Sequence, residues 1–139
     1  MARREIETYL RNEVTWSSQG DLVVRLYERA VRSLEVVIDA NADIHPALEQ
    51  QELGRVVGIL VELEAALDPT MSEELATLLR RMYRTMRHEV VQASAGNKQG
   101  LEQVQEQMRE LLESWRGVVR ETEPIHVQQV VDRRRRRRT

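Results

Sequence analysis

Four apolar stripes recur at helical spacing along this chain, each closed by a proline or a glycine, and they restrict it to bundled helices. The first comprises Leu22, Val23, Leu26, Tyr27, Ala30, Leu34, Val37 and Ile38, and fades over Asn41 to His45. Pro46 disfavours helical geometry in the residue before it and suits the first turn of the next helix. The second stripe runs through Leu53, Val56, Val57, Leu60, Leu63 and Leu67 to Asp68-Pro69. The third holds Leu75, Leu78, Leu79, Met82, Tyr83, Met86 and Val90, and breaks at Ala95-Gly96-Asn97. The fourth carries Leu101, Val104, Met108, Leu111, Leu112, Trp115 and Val119, up to Glu123-Pro124. At about 20 residues each, the helices would be about 30 Å long. Equal lengths and short connections predict an all-α, antiparallel four-helix bundle, preceded by a short N-terminal arm or helix. Aromatic residues are only 4% and Phe is absent, which disfavours a β-sandwich or barrel. Ser18 with Asp21, and Thr70 with Glu73, read as capping boxes for the first and third helices.

The stripes are wider than one core requires. Three consecutive apolar residues span about 200° of a helix, more than a single buried face. Leu22-Val-Val24, Val36-Val-Ile38 and Ile59-Leu-Val61 are such triplets. One triplet alone can be a well-buried helix, but several on neighbouring helices predict an apolar groove suited to a partner helix. Gly54 and Gly58, four apart on the second helix, each cost about 1 kcal/mol relative to alanine. Tight packing within the bundle is the favoured explanation, and contact with a partner the alternative.

Charge divides the chain. Arg133 to Arg138 are six of its 21 basic residues, so the remainder sets 15 basic against 23 acidic residues, near −8. The expected organisation is an arm over 1–16, a bundle over 17–121 and a basic, disordered tail over 122–139. Cysteine is absent, so thiolate chemistry and disulfides are excluded. No apolar run approaches the roughly 18 residues of a membrane span, and no signal core opens the chain. A cytoplasmic protein without membrane insertion is expected.

Catalytic chemistry finds no support in the motifs. His45, His88 and His126 are far apart, and His88-Glu89 lacks the second histidine of a zinc-protease helix. Gly20 has no companion glycines or lysine for a phosphate loop, and Ser17 and Ser18 read better as caps than as nucleophiles. No enzyme, cofactor or metal site is expected. Tyr83 and Trp115 read as core aromatics, while Trp16 reads as part of a docking arm.

These residues resemble the flagellar secretion chaperones of the FliS family. The resemblance rests on Tyr9, Asn12 and Val14, then Trp16-Ser-Ser-Gln19 and Leu22-Val-Val-Arg-Leu-Tyr-Glu-Arg-Ala30. Leu60, Leu63, Leu67 and Asp68, Met82-Tyr83-Arg-Thr-Met86, and Trp115 continue it in order. Gln19 stands where the family has proline, Glu28-Arg29 where it has Asp-Gly, and Arg25 where it has methionine. The resemblance implies a cytoplasmic chaperone that binds the C-terminal segment of flagellin, blocks premature polymerisation and delivers the subunit to the flagellar export gate. It also implies an N-terminal arm that occupies part of the client groove and moves aside. The residues expected to bind the partner are Tyr9, Leu10, Val14, Leu22, Val23, Leu26, Tyr27 and Leu60. The alternatives are a self-associating helical adaptor, or a module binding nucleic acid or an acidic partner through Arg133 to Arg138. The acidic body opposes nucleic acid, and no aromatic residue interleaves the arginines.

Overall fold

The computed structural model describes residues 17–40, 43–67 and 71–117. Helix α1 spans Ser17–Ala40, α2 Pro46–Ala65 and α3 Glu73–Ser94, while α4 occupies 101–117. The described residues contain no strand, and the all-α four-helix bundle expected from the stripes is the architecture found. α2 packs against both α1 and α3. One continuous core takes Tyr27 and Leu34 from α1, Leu53 and Leu60 from α2, Met86 and Val90 from α3, and Leu101 and Met108 from α4.

The helix ends show where local chemistry sets the boundaries. Pro46 opens α2, where its missing N–H costs nothing. His45 is the N-cap: its Nδ1 accepts the Ala47 N–H at 3.1 Å. Ser72, not Thr70, caps α3, its hydroxyl accepting the Leu75 N–H at 3.3 Å. Glu73 and Glu74 then place two carboxylates against the positive end of that helix. Thr70 itself lies outside the described residues. α1 already includes Ser17 and Ser18, so Ser18 lies inside the helix rather than before it. α3 ends as expected at Gly96, whose φ of 110° suits a residue without a Cβ. There the Asn97 N–H reaches the Gln92 carbonyl at 2.9 Å and the Gly96 N–H reaches that of Ala93 at 3.0 Å, a Schellman closure. The Asp68-Pro69 and Glu123-Pro124 stops lie outside the described residues.

A polar contact sits in the middle of this core. The hydroxyls of Tyr27 on α1 and Tyr83 on α3 are 2.6 Å apart, and the Trp115 indole of α4 also bonds Tyr27. Indole nitrogen only donates, so the Tyr27 oxygen accepts from it. Burial pushes the Tyr83 phenol from 10.0 up to about 12. Burial, reinforced by the neighbouring Tyr83, holds Tyr27 well above the usual tyrosine range. The cluster ties three helices together and tolerates no unpaired member cheaply.

Removing the Tyr27 hydroxyl strips a partner from both Tyr83 and Trp115, whereas removing that of Tyr83 leaves Tyr27 its indole bond. Tyr27→Phe should therefore cost more stability than Tyr83→Phe, within about 1–3 kcal/mol each, as read by urea unfolding. Each phenol also keeps its proton in the folded state where the unfolded chain has lost it. For Tyr83 the stability that follows is complete below the ordinary value of 10.0 and falls as pH rises from there through about 12; for Tyr27 it falls in the same direction. Alkaline titration should show the phenolate absorbance of these two tyrosines rising together with the loss of helix.

Candidate partner-binding surface

Each apolar triplet leaves one member outside the core. Leu22 is 58% exposed beside buried Val23, Val36 is exposed beside buried Val37, and Val61 is exposed beside buried Leu60. Leu48 and Val91 are the other large apolar residues exposed among those described. The geometry is that of a 3.6-residue turn: when the middle of a triplet points inward, an outer member need not.

On α1 the exposed members align. Leu22, half-buried Leu26 and Val36 share one flank over about 21 Å of helix. The opposite flank faces α4, because Glu28 accepts from Arg116 at 2.9 Å and Glu35 from Arg109 at 2.7 Å. The apolar flank therefore borders α2, where Leu48 and Ile59 occupy the facing side. This apolar border is the candidate α1–α2 groove, flanked by Arg29, Glu52, Arg55 and Glu62. Arg55 is held to Glu52 at 3.2 Å.

The α1–α4 side differs in character. A cleft of about 570 Å³ runs there over Val31 and Leu112, but the two cross-helix ion pairs span it. The hydrogen bond to Glu28, with a further one to Glu113, raises the Arg116 guanidinium above its usual range. Charge is already answered by charge on this side.

The expected partner-binding residues are not brought to one surface. Leu22 is exposed on the α1 flank and Leu26 partly so. Val23 is buried, and Tyr27 and Leu60 are at 0% and 1% exposure, inside the core. These three belong to the core and offer no surface to a partner. The burial of Tyr27 follows from its hydroxyl having an internal partner, which spacing does not reveal. Tyr9, Leu10, Val14 and Trp16 lie outside the described residues, as does the Arg133 to Arg138 run. Val36 and Leu48 were missed as groove residues; Val36 had a signal, as the first member of a triplet.

Gly54 and Gly58 overturn their favoured explanation. Both face outward, and a Cβ built on either meets nothing within 4 Å. Packing inside the bundle does not account for them. Alanine at either position should therefore stabilise the fold by about 1 kcal/mol, measured by thermal or urea unfolding. A loss of stability would show that the helix needs glycine there.

No group of His, Cys, Asp and Glu suited to a metal ion occurs among the described residues. The raised tyrosines belong to the core, not to a cleft. No described helix is long and apolar enough to cross a membrane.

The described residues form a helical bundle with exposed apolar residues on one flank of α1 and ion pairs on the other. The family model described as "Flagellar protein FliS" matches residues 2–122. The chain belongs to the FliS family, and so to the flagellar export chaperones as a class, a family not known for enzymes. No curated protein and no solved structure matches it.

Proposed function

We propose that this protein is a cytoplasmic export chaperone that binds the C-terminal segment of flagellin, prevents its premature polymerisation and delivers it to the flagellar export gate. The observation that carries this reading is the aligned flank of Leu22, Leu26 and Val36 on a member of the FliS family. An unfolded client loses chain entropy on binding, so much of the contact free energy is offset. Releasable binding then needs a long apolar track with moderate burial at each point, and the Leu22, Leu26 and Val36 flank is suited to that. Covering a fully exposed leucine contributes about 1.5–3 kcal/mol before the ordering cost is subtracted, so the client must engage several residues at once.

In this reading residues 1–16 form an arm bearing Tyr9, Leu10 and Val14, 17–121 the chaperone bundle and 122–139 a basic tail. The arm competes with the client for the groove, which lowers apparent affinity and protects the empty chaperone from self-association. The export gate receives the loaded complex.

Co-purification of the full chain with flagellin, whole and lacking its C-terminal segment, tests this directly. Whole flagellin should be retained and the truncated form lost. Leu22→Asp should weaken binding at least about tenfold while changing stability by no more than about 0.5 kcal/mol, because the side chain is mostly in water. Equal retention of both flagellins, or an unchanged affinity for Leu22→Asp, would contradict the reading. A dimer that ignores flagellin would favour a self-associating adaptor instead.

A further inference from the structure

The seam between α2 and α3 is a second uncovered surface. Two contacts fix its register: Gln50 Nε2 donates to the Ser94 carbonyl at 2.9 Å, and Arg84 donates to Glu64 Oε2 at 3.1 Å. Between them Gly54, Val57, Gly58 and Val61 follow the outward edge of α2. Val61 is 46% exposed and Val91, across the seam on α3, 48%. The space above both glycines is open, so an incoming backbone can approach α2 more closely there than anywhere a Cβ stands in the way.

Cations border this apolar strip. Arg80, Arg81, Arg84, Arg87 and His88 fall within about 120° of arc on α3. Glu64 answers two of them, pairing with Arg84 at 3.1 Å and Arg87 at 4.0 Å. Arg80 and Arg81 have no ion pair among the described residues. This row stands on a body that is acidic overall once the six terminal arginines are set aside. It is a local positive island and not part of a general basic surface.

The geometry points to the α2–α3 seam as the docking site of an amphipathic helix from another protein, apolar on one face and acidic along one edge. Its apolar residues lie over Gly54 and Gly58 against Val61 and Val91. Its carboxylates meet Arg80, Arg81 and Arg84. The chain's own acidic helix does not fit: the outward residues Glu102, Glu106, Glu110 and Glu113 of α4 provide charge without an apolar edge. A second copy therefore does not supply the occupant through α4. A nucleic-acid strand would meet the acidic body and, among the described residues, find no exposed aromatic residue on which to stack along the seam. The site is separate from the α1–α2 groove and stands whether or not flagellin is the client there.

The test uses synthetic helical peptides of about 18 residues, five turns long, with Leu and Ala on one face and either Glu or Lys along one edge. Binding to the full chain is followed by fluorescence anisotropy, beside an oligothymidylate strand and the C-terminal segment of flagellin. The Glu peptide should bind, and its affinity should fall by at least about tenfold between about 50 mM and about 500 mM salt. Gly58→Leu, which closes the trough and strengthens the helix, and Arg81→Glu should each lower that affinity at least about fivefold, with flagellin binding unchanged. Replacing Arg133 to Arg138 by alanine should leave Glu-peptide binding intact. The proposal is overturned if Glu and Lys peptides bind alike, if neither seam variant matters, or if the arginine-run variant abolishes binding. It is also overturned if the oligothymidylate binds the seam more tightly than the Glu peptide, or if Gly58→Leu removes flagellin binding as well, which would make the seam part of the client groove.

Discussion

A helix turns about 100° per residue, and that limits how many consecutive apolar side chains one core can hide. This chain exceeds the limit at Leu22-Val-Val24, Val36-Val-Ile38 and Ile59-Leu-Val61, and each triplet leaves one residue in water. Single exposed apolar residues are ordinary on a protein surface. Here the position matters more than the number. Leu22 and Val36 join Leu26 on one flank of α1, and the flank meets α2 rather than open solvent on both sides. The core and the groove are thus two faces of one sequence pattern, and a change in register of α1 would alter both.

The interior fixes that register. Tyr27, Tyr83 and Trp115 bring polar atoms from three helices to one point, and such atoms must be paired once water is excluded. Rotating α1 to bury Leu22 would separate Tyr27 from its partners. The exposed ion pairs between α1 and α4 act more weakly, since pairs as open as Arg109–Glu35 are typically worth no more than about 1 kcal/mol. Their main effect is on selectivity: they present a matched charge pattern on one side and leave the other side apolar.

The helices were readable because stripe, breaker and cap agree. Pro46 opens α2, Gly96 closes α3, and the stripe residues Leu53, Leu79 and Met108 are all in the core. The caps were less readable, because several hydrogen-bonding side chains compete within a few residues. His45 and Ser72 won, and the Thr70–Glu73 pairing was not the one that caps α3. The groove was partly readable. The triplets correctly signalled excess apolar surface, but spacing alone does not say which member points inward. That is decided by long-range partners, as for Tyr27 and Leu60. The outward direction of Gly54 and Gly58 was hidden for the same reason, since a glycine contributes nothing to a stripe.

In the proposed function, the residues excluded from the core by helix geometry are the ones that meet the client. Methyl nuclear magnetic resonance of the full chain, titrated with the C-terminal segment of flagellin, measures this most directly. Large shifts are expected at the methyl groups of Leu22, Leu26 and Val36, with those of Leu34 and Leu53 nearly still. Uniform shifts across the core, or none at the α1 flank while the segment binds, would contradict it.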